Sequence, residues 1–195
     1  AHNPIGGLLI DNLSYSDEKK FDQIDGVWCS SLTDSTSRGK PDNGSLDLTT
    51  RSNWLGEMFE VSSKPVIFDA DNGGPKEHLK FLVNKLEKIG VSAVVIEDKI
   101  GIKINSLFKD QSNTKQDTIS NFCKKIKIMC NSRVNNDFII ISRIESLILG
   151  KGVQDALKRA NSYSKAGADM ILIHSNKKTP AEIFKFAKQF KKSKY

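Results

Sequence analysis

Cysteine is scarce in this sequence, and its spacing matches neither a disulfide framework nor a metal-binding motif. The three cysteines, Cys29, Cys123 and Cys130, are odd in number, and no two of them have Cys-x-x-Cys spacing. Disulfide-stabilised domains and structural zinc sites need paired or closely spaced cysteines, so neither is expected here. A reducing, cytoplasmic environment is the default expectation for such a chain.

Long apolar segments are also missing. No uninterrupted apolar run approaches the ~20 residues that span a membrane, and the start, Ala1-His2-Asn3-Pro4, lacks the basic region and apolar core of a signal peptide. We therefore predict no association with a membrane. Of the 195 residues, 38% are hydrophobic and 27% are charged, which fits one soluble globular domain over residues 1–195.

The positive charge lacks the other features of a nucleic-acid-binding protein. The net charge of +7 comes mainly from lysine, in runs such as Lys124-Lys125-Ile126-Lys127 and Lys177-Lys178. Few arginines and no aromatic residues are interleaved with these runs, so a solvated helix face accounts for them better than a nucleic-acid partner does. The same positive balance would attract a small anionic substrate by long-range steering.

Glycine-rich nucleotide-binding motifs are absent after every predicted strand. What the sequence does contain is an alternation of short apolar segments with segments of helical periodicity, which predicts βαβ units and a parallel sheet. The predicted strands are Gly26–Ser30, Pro65–Asp69, Ser92–Glu97, Phe138–Arg143 and Asp169–His174. The predicted helices are Thr49–Phe59, Lys76–Lys88, Gln116–Cys130, a segment from Val153 to near Gly167, and a last helix that opens with the capping box Thr179-Pro180-Ala181-Glu182.

Ionisable or hydroxyl-bearing residues follow every predicted strand. A (β/α)8 barrel carries its functional residues at the carboxyl ends of many strands, whereas a Rossmann sheet concentrates them at one crossover. We therefore predict an α/β fold of the (β/α)8 TIM-barrel type. Five strands cannot close such a barrel, so we expect a partial barrel without the first and last strands, with Ala1-His2-Asn3 as rim residues of the missing first strand. The other rim residues are Trp28, Ser30, Ser31, Asp69, Asp71, Glu97, Asp98, Lys99, Arg143, Glu145, His174 and Ser175.

Three of the rim carboxylates, Asp69, Asp71 and Glu97, are candidate metal ligands. They come from neighbouring strands and would converge on one Mg²⁺, which prefers oxygen ligands and usually keeps several waters. A buried carboxylate must be hydrated, paired or metal-bound, so placing two of them at one strand end needs a reason. The alternative is that Asp69 and Asp71 merely cap the next loop.

Two further rim residues suit an anionic substrate. Arg143 offers a planar fork that matches a carboxylate or phosphoryl group, and His174 would donate to a phosphoryl oxygen. The structural alternatives are an internal ion pair between Arg143 and Glu145, and a hydrogen-bonded structural role for His174.

Two loops complete the predicted site. The loop Lys99–Ser106 has a Gly101 hinge followed by Lys103 and Asn105, a pattern typical of a lid that folds donors over an anion. The alternative is an ordinary βα loop. Asp42 lies in a polar loop rich in glycine and proline, where its residue type alone would indicate a turn.

Five segments carry motifs that one enzyme family shows in the same order. They are Trp28-Cys-Ser-Ser-Leu, Asp69-Ala-Asp-Asn-Gly, Glu97-Asp-Lys-Ile-Gly-Ile-Lys-Ile-Asn-Ser, Ser142-Arg-Ile-Glu-Ser and Ile173-His-Ser. Together they resemble the phosphoenolpyruvate mutase family, within the isocitrate lyase superfamily of (β/α)8 barrels. The third motif favours a mutase or a phosphonopyruvate hydrolase, because the lyases carry a catalytic cysteine in that loop and this chain does not.

The resemblance implies a Mg²⁺-dependent interconversion of phosphoenolpyruvate and phosphonopyruvate, which forms the C–P bond in phosphonate biosynthesis. It implies that Asp69 is the direct Mg²⁺ ligand, with Asp71 and Glu97 acting largely through bound waters. It also implies a small-molecule substrate and a homo-oligomer, which is a tetramer in the family. The implied catalytic residues are Asp42, Lys103, Asn105, Arg143 and His174, and the implied substrate-binding residues are Trp28, Ser30, Ser31, Leu32, Asn105, Ser106, Arg143, His174 and Ser175.

Three other functions remain open from the sequence. The first is phosphonopyruvate hydrolysis, and the second is cleavage of a 2-methylisocitrate-like acid, which the missing lid cysteine disfavours. The third is a non-catalytic, incomplete barrel that acts as a binding segment.

Overall fold

A computed structural model of the protein describes residues 3–18, 21–108 and 110–191. Ala1 and His2, which were predicted at the rim, lie outside these ranges. The strands are β1 (Ser14–Ser16), β2 (Phe21–Gln23), β3 (Val27–Cys29), β4 (Val66–Asp69), β5 (Ala93–Glu97), β6 (Lys99–Ile100), β7 (Lys115–Gln116), β8 (Ile139–Ile144) and β9 (Met170–Ile173). The α-helices are α1 (Pro4–Asn12), α2 (Ser31–Thr36), α3 (Leu48–Asn53), α4 (Leu55–Phe59), α5 (Leu79–Lys88), α6 (Ile119–Ser132), α7 (Gly152–Ala166) and α8 (Ala181–Gln189).

The five predicted strands are confirmed as one parallel sheet. Its order is β3-β4-β5-β8-β9, so strands that follow one another across a helix lie side by side. The described residues form an open sheet with β3 and β9 at its edges. This is the partial barrel predicted from the number of strands.

The two faces of the sheet have different roles, because successive residues of a strand point to opposite faces. One face packs against the helices and forms the main core, which includes Phe68, Ile96 and Ile140. The other face carries a smaller apolar cluster around Val95 and Ile141. Each strand of this cluster continues on the same face, two residues later, with a polar residue at its carboxyl end. These residues are Asp69, Glu97, Arg143 and His174.

Most helices agree with the prediction, and the differences are local. Gly167 ends α7 with a φ of 115°, a left-handed conformation that glycine adopts without strain. The segment Thr49–Phe59 forms two short helices, because the backbone turns at Trp54. Helix α6 starts after its cap, Thr118, rather than at Gln116, which belongs to β7.

The predicted capping box of α8 is wrong. Pro180 is the cap residue itself rather than the first helical residue, and it has no side-chain capping bond. The Glu182 carboxylate does not turn back to the helix start, because it accepts a hydrogen bond from Ser175 Oγ at 3.2 Å and pairs with Lys177.

Two antiparallel strand pairs were not predicted. β1 and β2 form an exposed hairpin after α1. β6 and β7 pair through Lys99 with Gln116 and through Ile100 with Lys115. We call the described residues that connect them, 101–108 and 110–114, the lid. Among the described residues, none of the helices has the combined length and apolar character needed to cross a bilayer.

Candidate active site

A cavity of about 220 Å³ lies at the carboxyl ends of the parallel strands, between the loops that follow β3 and the lid. Twelve of the fourteen predicted site residues line it, and two apolar lid residues, Ile104 and Leu107, complete the wall. Asp71 borders an adjoining cavity of about 450 Å³ instead. Ser175 donates to Glu182 in α8. The twelve lining residues are Trp28, Ser30, Ser31, Leu32, Asp42, Asp69, Glu97, Lys103, Asn105, Ser106, Arg143 and His174.

Arg143 joins the carboxylates on the neighbouring strand ends. The register of the sheet places Arg143 directly beside Glu97. Its guanidinium pairs closely with Glu97 Oε2 and lies 3.1 Å from Asp69 Oδ2. Both carboxylates are almost fully buried, so the arginine offsets a charge that would otherwise be costly in the interior.

Asp71 has an unusual backbone conformation. Its φ of 52° makes it the one non-glycine residue with a positive φ among those described. Aspartate tolerates this conformation better than most residues, because its short polar side chain can bond locally. The Asp71 N–H donates to Asp69 Oδ1 at 3.1 Å, and the Asp71 carboxylate lies 2.6 Å from Lys103 Nζ.

The lid contacts the rim through Lys103 and Asn105. Lys103 Nζ pairs closely with the Asp42 carboxylate and also donates to Ser31 Oγ at 2.6 Å. Asn105 Nδ2 donates to the other Asp42 oxygen at 2.8 Å. Two lid donors therefore hold Asp42, the loop residue that resembled a simple turn, inside the cavity.

Burial and neighbouring charges shift the pKa values at the rim. Burial raises the pKa of Glu97 to about 7, although Arg143 acts in the opposite direction. Burial would lower the pKa of Lys103, but Asp71 and Asp42 outweigh it and raise that pKa above its ordinary value. At neutral pH the lid lysine is therefore a cation, and burial makes the Glu97 carboxylate easier to protonate than an exposed one.

Arg51, which was not predicted as a site residue, contacts the strand ends beneath the rim. The Arg51 side chain is fully buried, and its Nε donates to Asp34 Oδ2 at 2.8 Å. Its two other nitrogens donate to the backbone oxygens of Asp69, at 2.6 Å, and Cys29, at 3.2 Å. Arg51 thus ties the ends of β3 and β4 together directly behind the carboxylate pair. Its position on a short helix without a clear apolar face gave no signal of burial.

A second buried cluster, around Asp98, was also missed. Asp98 Oδ2 accepts hydrogen bonds from Tyr163 at 2.7 Å, Gln116 at 2.9 Å and Arg159 at 3.1 Å. Its other oxygen accepts from the backbone N–H of Glu145 at 3.0 Å. The cluster joins the base of the lid to the rim residue that follows β8. The motif Glu97-Asp98-Lys99 could have indicated it, but nothing in the sequence pairs Asp98 with a distant arginine.

The chemistry of the rim carboxylates suits a magnesium ion, although their present arrangement does not form a metal site. Asp69, Asp71 and Glu97 provide only carboxylate oxygens, the ligand type that Mg²⁺ prefers. The oxygens of Asp69 and Glu97 lie close enough to contact one guanidinium. In this structure Lys103 and Arg143 form ion pairs with these carboxylates. Within the described ranges, no three or more acidic, histidine or cysteine side chains are arranged so that they could bind one metal ion.

Comparison with known proteins shows which protein family this chain resembles. A protein-family model described as phosphoenolpyruvate phosphomutase matches residues 1–194. Phosphonopyruvate hydrolase from Variovorax sp. (strain Pal2) is 36% identical over 191 residues, 97% of this chain and 62% of its own length. Phosphoenolpyruvate phosphomutase from Tetrahymena pyriformis is 34% identical over 192 residues, 98% of this chain and 61% of its own length.

Solved structures agree. A crystal structure of phosphoenolpyruvate phosphomutase from Streptomyces platensis subsp. rosaceus superposes with a TM-score of 0.88 at 33% identity and covers 98% of this chain. A phosphonopyruvate hydrolase in complex with oxalate and Mg²⁺ superposes with a TM-score of 0.85 at 33% identity and covers 99% of this chain. The chain spans 63% and 62% of the lengths of these two structures.

Proposed function

This chain belongs to the phosphoenolpyruvate phosphomutase family, and from that premise we propose that it takes part in the Mg²⁺-dependent interconversion of phosphoenolpyruvate and phosphonopyruvate. One observation carries the proposal. The Asp42 carboxylate, with only 8% of its side chain exposed, is held by the lid residues Lys103 and Asn105 over the rim. An oxygen nucleophile under a closed lid suits a phosphoryl group that must be transferred without being lost to water.

The cavity supplies groups for both ends of the substrate. The carboxylate would lie near Ser31, where α2 begins, with Trp28 as a wall. The phosphoryl group would lie among Arg143, His174 and Asn105, which carry planar or directed N–H donors. Positive charge from this set would offset the phosphoryl charge as the bond to carbon breaks.

Asp69 would hold Mg²⁺ directly, with Asp71 and Glu97 acting through bound waters. When bound, Mg²⁺ supplies Lewis-acid stabilisation of negative charge on the pyruvyl oxygen. Arg143 and Lys103, which pair with these carboxylates in the present structure, would then be available to the substrate.

The transfer is balanced without any added proton or oxidant. An Asp42 oxygen attacks phosphorus, the C–P bond of phosphonopyruvate breaks, and its electron pair forms the enolate of pyruvate. The enolate oxygen then attacks the phosphoryl group on Asp42, which forms phosphoenolpyruvate and restores the carboxylate. Lys103 and Asn105 orient Asp42 for both steps.

Hydrolysis of phosphonopyruvate is the second candidate, because the hydrolase from Variovorax is as similar to this chain as the mutase from Tetrahymena is. In that case water, rather than the enolate oxygen, would take the phosphoryl group. The products would be inorganic phosphate and pyruvate.

³¹P NMR of the chain mixed with Mg²⁺ and phosphonopyruvate distinguishes these reactions. We expect the phosphonate signal to be replaced by that of a phosphate ester, phosphoenolpyruvate. Free phosphate would instead assign the hydrolase reaction. Unchanged phosphonopyruvate together with cleavage of a 2-methylisocitrate-like acid would assign a lyase and refute the proposal.

Asp42→Asn tests the role of the nucleophile. We expect turnover to fall by about 100-fold or more, which corresponds to about 2.7 kcal/mol of barrier. Asp47→Asn is the matched control, because Asp47 caps α3 outside the substrate cavity and asparagine caps a helix equally well. Turnover of Asp42→Asn within about threefold of the parent, under about 1 kcal/mol, would contradict the assigned role.

A further inference from the structure

Glu145 contacts three residues of the substrate cavity, Arg143, His174 and Ser106, although it does not line the cavity itself. Its side chain is fully buried, directly after β8. Burial would raise the pKa of Glu145, but the hydrogen bond from His174 and the charges of His174, Arg143 and Lys99 outweigh it and lower that pKa to about 2. The residue is therefore a buried anion surrounded by donors.

The two carboxylate oxygens of Glu145 contact different parts of the site. Oε1 lies 3.1 Å from Arg143 Nε and 2.7 Å from His174 Nε2, both on the strand ends. Oε2 accepts from Ser106 Oγ in the lid at 2.8 Å and lies 3.5 Å from Lys99 Nζ. One oxygen thus contacts Arg143 and His174, which we call the cradle residues, and the other oxygen contacts the lid.

Lys99 strengthens the contact with the lid. It belongs to β6 at the base of the lid, and its Nζ donates to Ser106 Oγ at 2.6 Å and to the Ile104 backbone oxygen at 2.9 Å. Ser106 can therefore accept from Lys99 while it donates to Glu145. This arrangement needs an acceptor at Oε2, because the lysine ammonium has only donors.

We propose that Glu145 is a positioning residue that couples closure of the lid to the orientation of Arg143 and His174. With the lid closed, Ser106 satisfies one oxygen of Glu145 while the other fixes the two cradle residues. With the lid open, that oxygen loses a partner, and the buried carboxylate would be less constrained. The catalytic meaning of this coupling rests on the proposed phosphoryl transfer, but the coupling itself can be measured without turnover.

Glu145→Gln separates the two contacts. A glutamine side chain has one acceptor oxygen and one NH₂ group. The oxygen would face Arg143, because an NH₂ group against a guanidinium places donor against donor. The NH₂ group would then face Lys99 and Ser106 and disrupt the contact with the lid. The change keeps the side-chain volume, so it leaves no cavity in the core.

Hydrogen exchange of the lid amides, measured by mass spectrometry on the intact chain, tests the coupling. Glu145→Gln should raise lid exchange by about tenfold or more, because it removes a hydrogen bond to a charged group. Ser106→Ala should raise lid exchange similarly, and the double variant should exchange no faster than the faster single variant. Additive effects of the two changes, or lid exchange like that of the parent in Glu145→Gln, would overturn the proposal.

Asp169→Asn is the matched control. Asp169 is also a buried carboxylate paired with an arginine, Arg133, but it lies just before β9, at the amino ends of the strands and away from the cavity. It should lower stability without changing lid exchange relative to the parent. An equal rise in lid exchange in this control would mean that Glu145 acts only through general stability, and would refute the coupling.

Kinetics then separate this inference from the proposed function. If the parent converts phosphonopyruvate, Glu145→Gln should raise KM for phosphonopyruvate by about tenfold while kcat falls less, because the cradle retains its acceptor. A fall in kcat with unchanged KM would contradict a role in lid closure. If the parent has no activity, the exchange experiment still decides the coupling, and only the proposed function fails.

Discussion

Replacing Arg51 with methionine should destabilise the protein strongly, although Arg51 does not line the substrate cavity. Methionine keeps much of the side-chain volume but loses the guanidinium group, whose central carbon lies 4.6 Å from the centroid of the Phe68 ring. It removes the ion pairs with Asp34 and, at 3.7 Å, with Asp71. It also removes the hydrogen bonds to the backbone oxygens of Asp69 and Cys29. The test therefore isolates the polar contacts.

The expected loss of unfolding free energy is about 3–5 kcal/mol, the usual cost of removing one partner of a buried ion pair. Both Arg51 and Asp34 have fully buried side chains. Among the described residues, Asp34 Oδ1 has no hydrogen-bond partner, so the aspartate would be left with a poorly compensated charge. Total stability is about 5–15 kcal/mol for an ordinary domain, so this loss would be a large share of it.

Urea unfolding, followed by circular dichroism, measures the effect. Asp34→Asn in the Arg51→Met background should recover part of the lost stability, because it removes the unpaired charge. Lys76→Met is the control, since its pair with Glu77 is exposed at 55% and 66% and should contribute about 0–1 kcal/mol. A loss under about 1 kcal/mol for Arg51→Met, or a double variant no more stable than the single one, would refute the reasoning.

Two further predictions concern the cysteines and the metal. Burial raises the pKa of Cys29 to about 12, so iodoacetamide at pH 8 should leave Cys29 unmodified in the folded protein and modify it in urea. Burial also raises the pKa of the partly exposed Cys123 and Cys130, so both should react faster than Cys29 in the folded protein but more slowly than in urea. Peptide mass mapping that finds Cys29 alkylated in the folded state would contradict this. Mg²⁺ at ten times its dissociation constant should stabilise the protein by about 1.4 kcal/mol. We expect a rise in Tm that EDTA reverses and that the Asp69→Asn variant does not show. An equal rise in Tm in Asp69→Asn would mean that the ion binds elsewhere.

The sheet could be predicted because each of its strands is a short apolar run bounded by turn residues and followed by a polar residue. Val66–Asp69 and Ala93–Glu97 are examples, and their buried positions need little more than hydrophobic character. The hairpin of β1 and β2 could not be predicted in this way, because its strands are exposed on both faces and show no apolar alternation. The same holds for β6 and β7, which are two residues long.

The candidate site residues that directly follow a predicted strand could be predicted from the sequence. Those that depend on contacts between distant parts of the chain could not. Asp69, Glu97 and Arg143 follow from the rule that parallel strands present their carboxyl ends at one edge. The alternative for Arg143, an ion pair with Glu145, is also correct as a contact, and it coexists with a place on the cavity wall. Asp42 depended on the family resemblance, because a loop residue acquires its role from the lid that meets it.

The charges around the cavity would favour the joint binding of a divalent cation and an anionic substrate. Five carboxylates of the described residues (Asp42, Asp69, Asp71, Glu97 and Glu145) face three cations (Lys99, Lys103 and Arg143). Arg51 lies 2.8 Å from Asp34 and 3.7 Å from Asp71, and counting Arg51 together with Asp34 adds one charge of each sign, which leaves the difference unchanged. With these carboxylates counted as ionised and His174 left aside, the imbalance is two negative charges, which one Mg²⁺ would offset. Burial is the main reason that the pKa of Glu97 is raised, and the neighbouring charge of Glu145 acts in the same direction. An anionic substrate alone would increase this excess, so we expect Mg²⁺ and substrate to bind cooperatively, each reducing the electrostatic cost of the other.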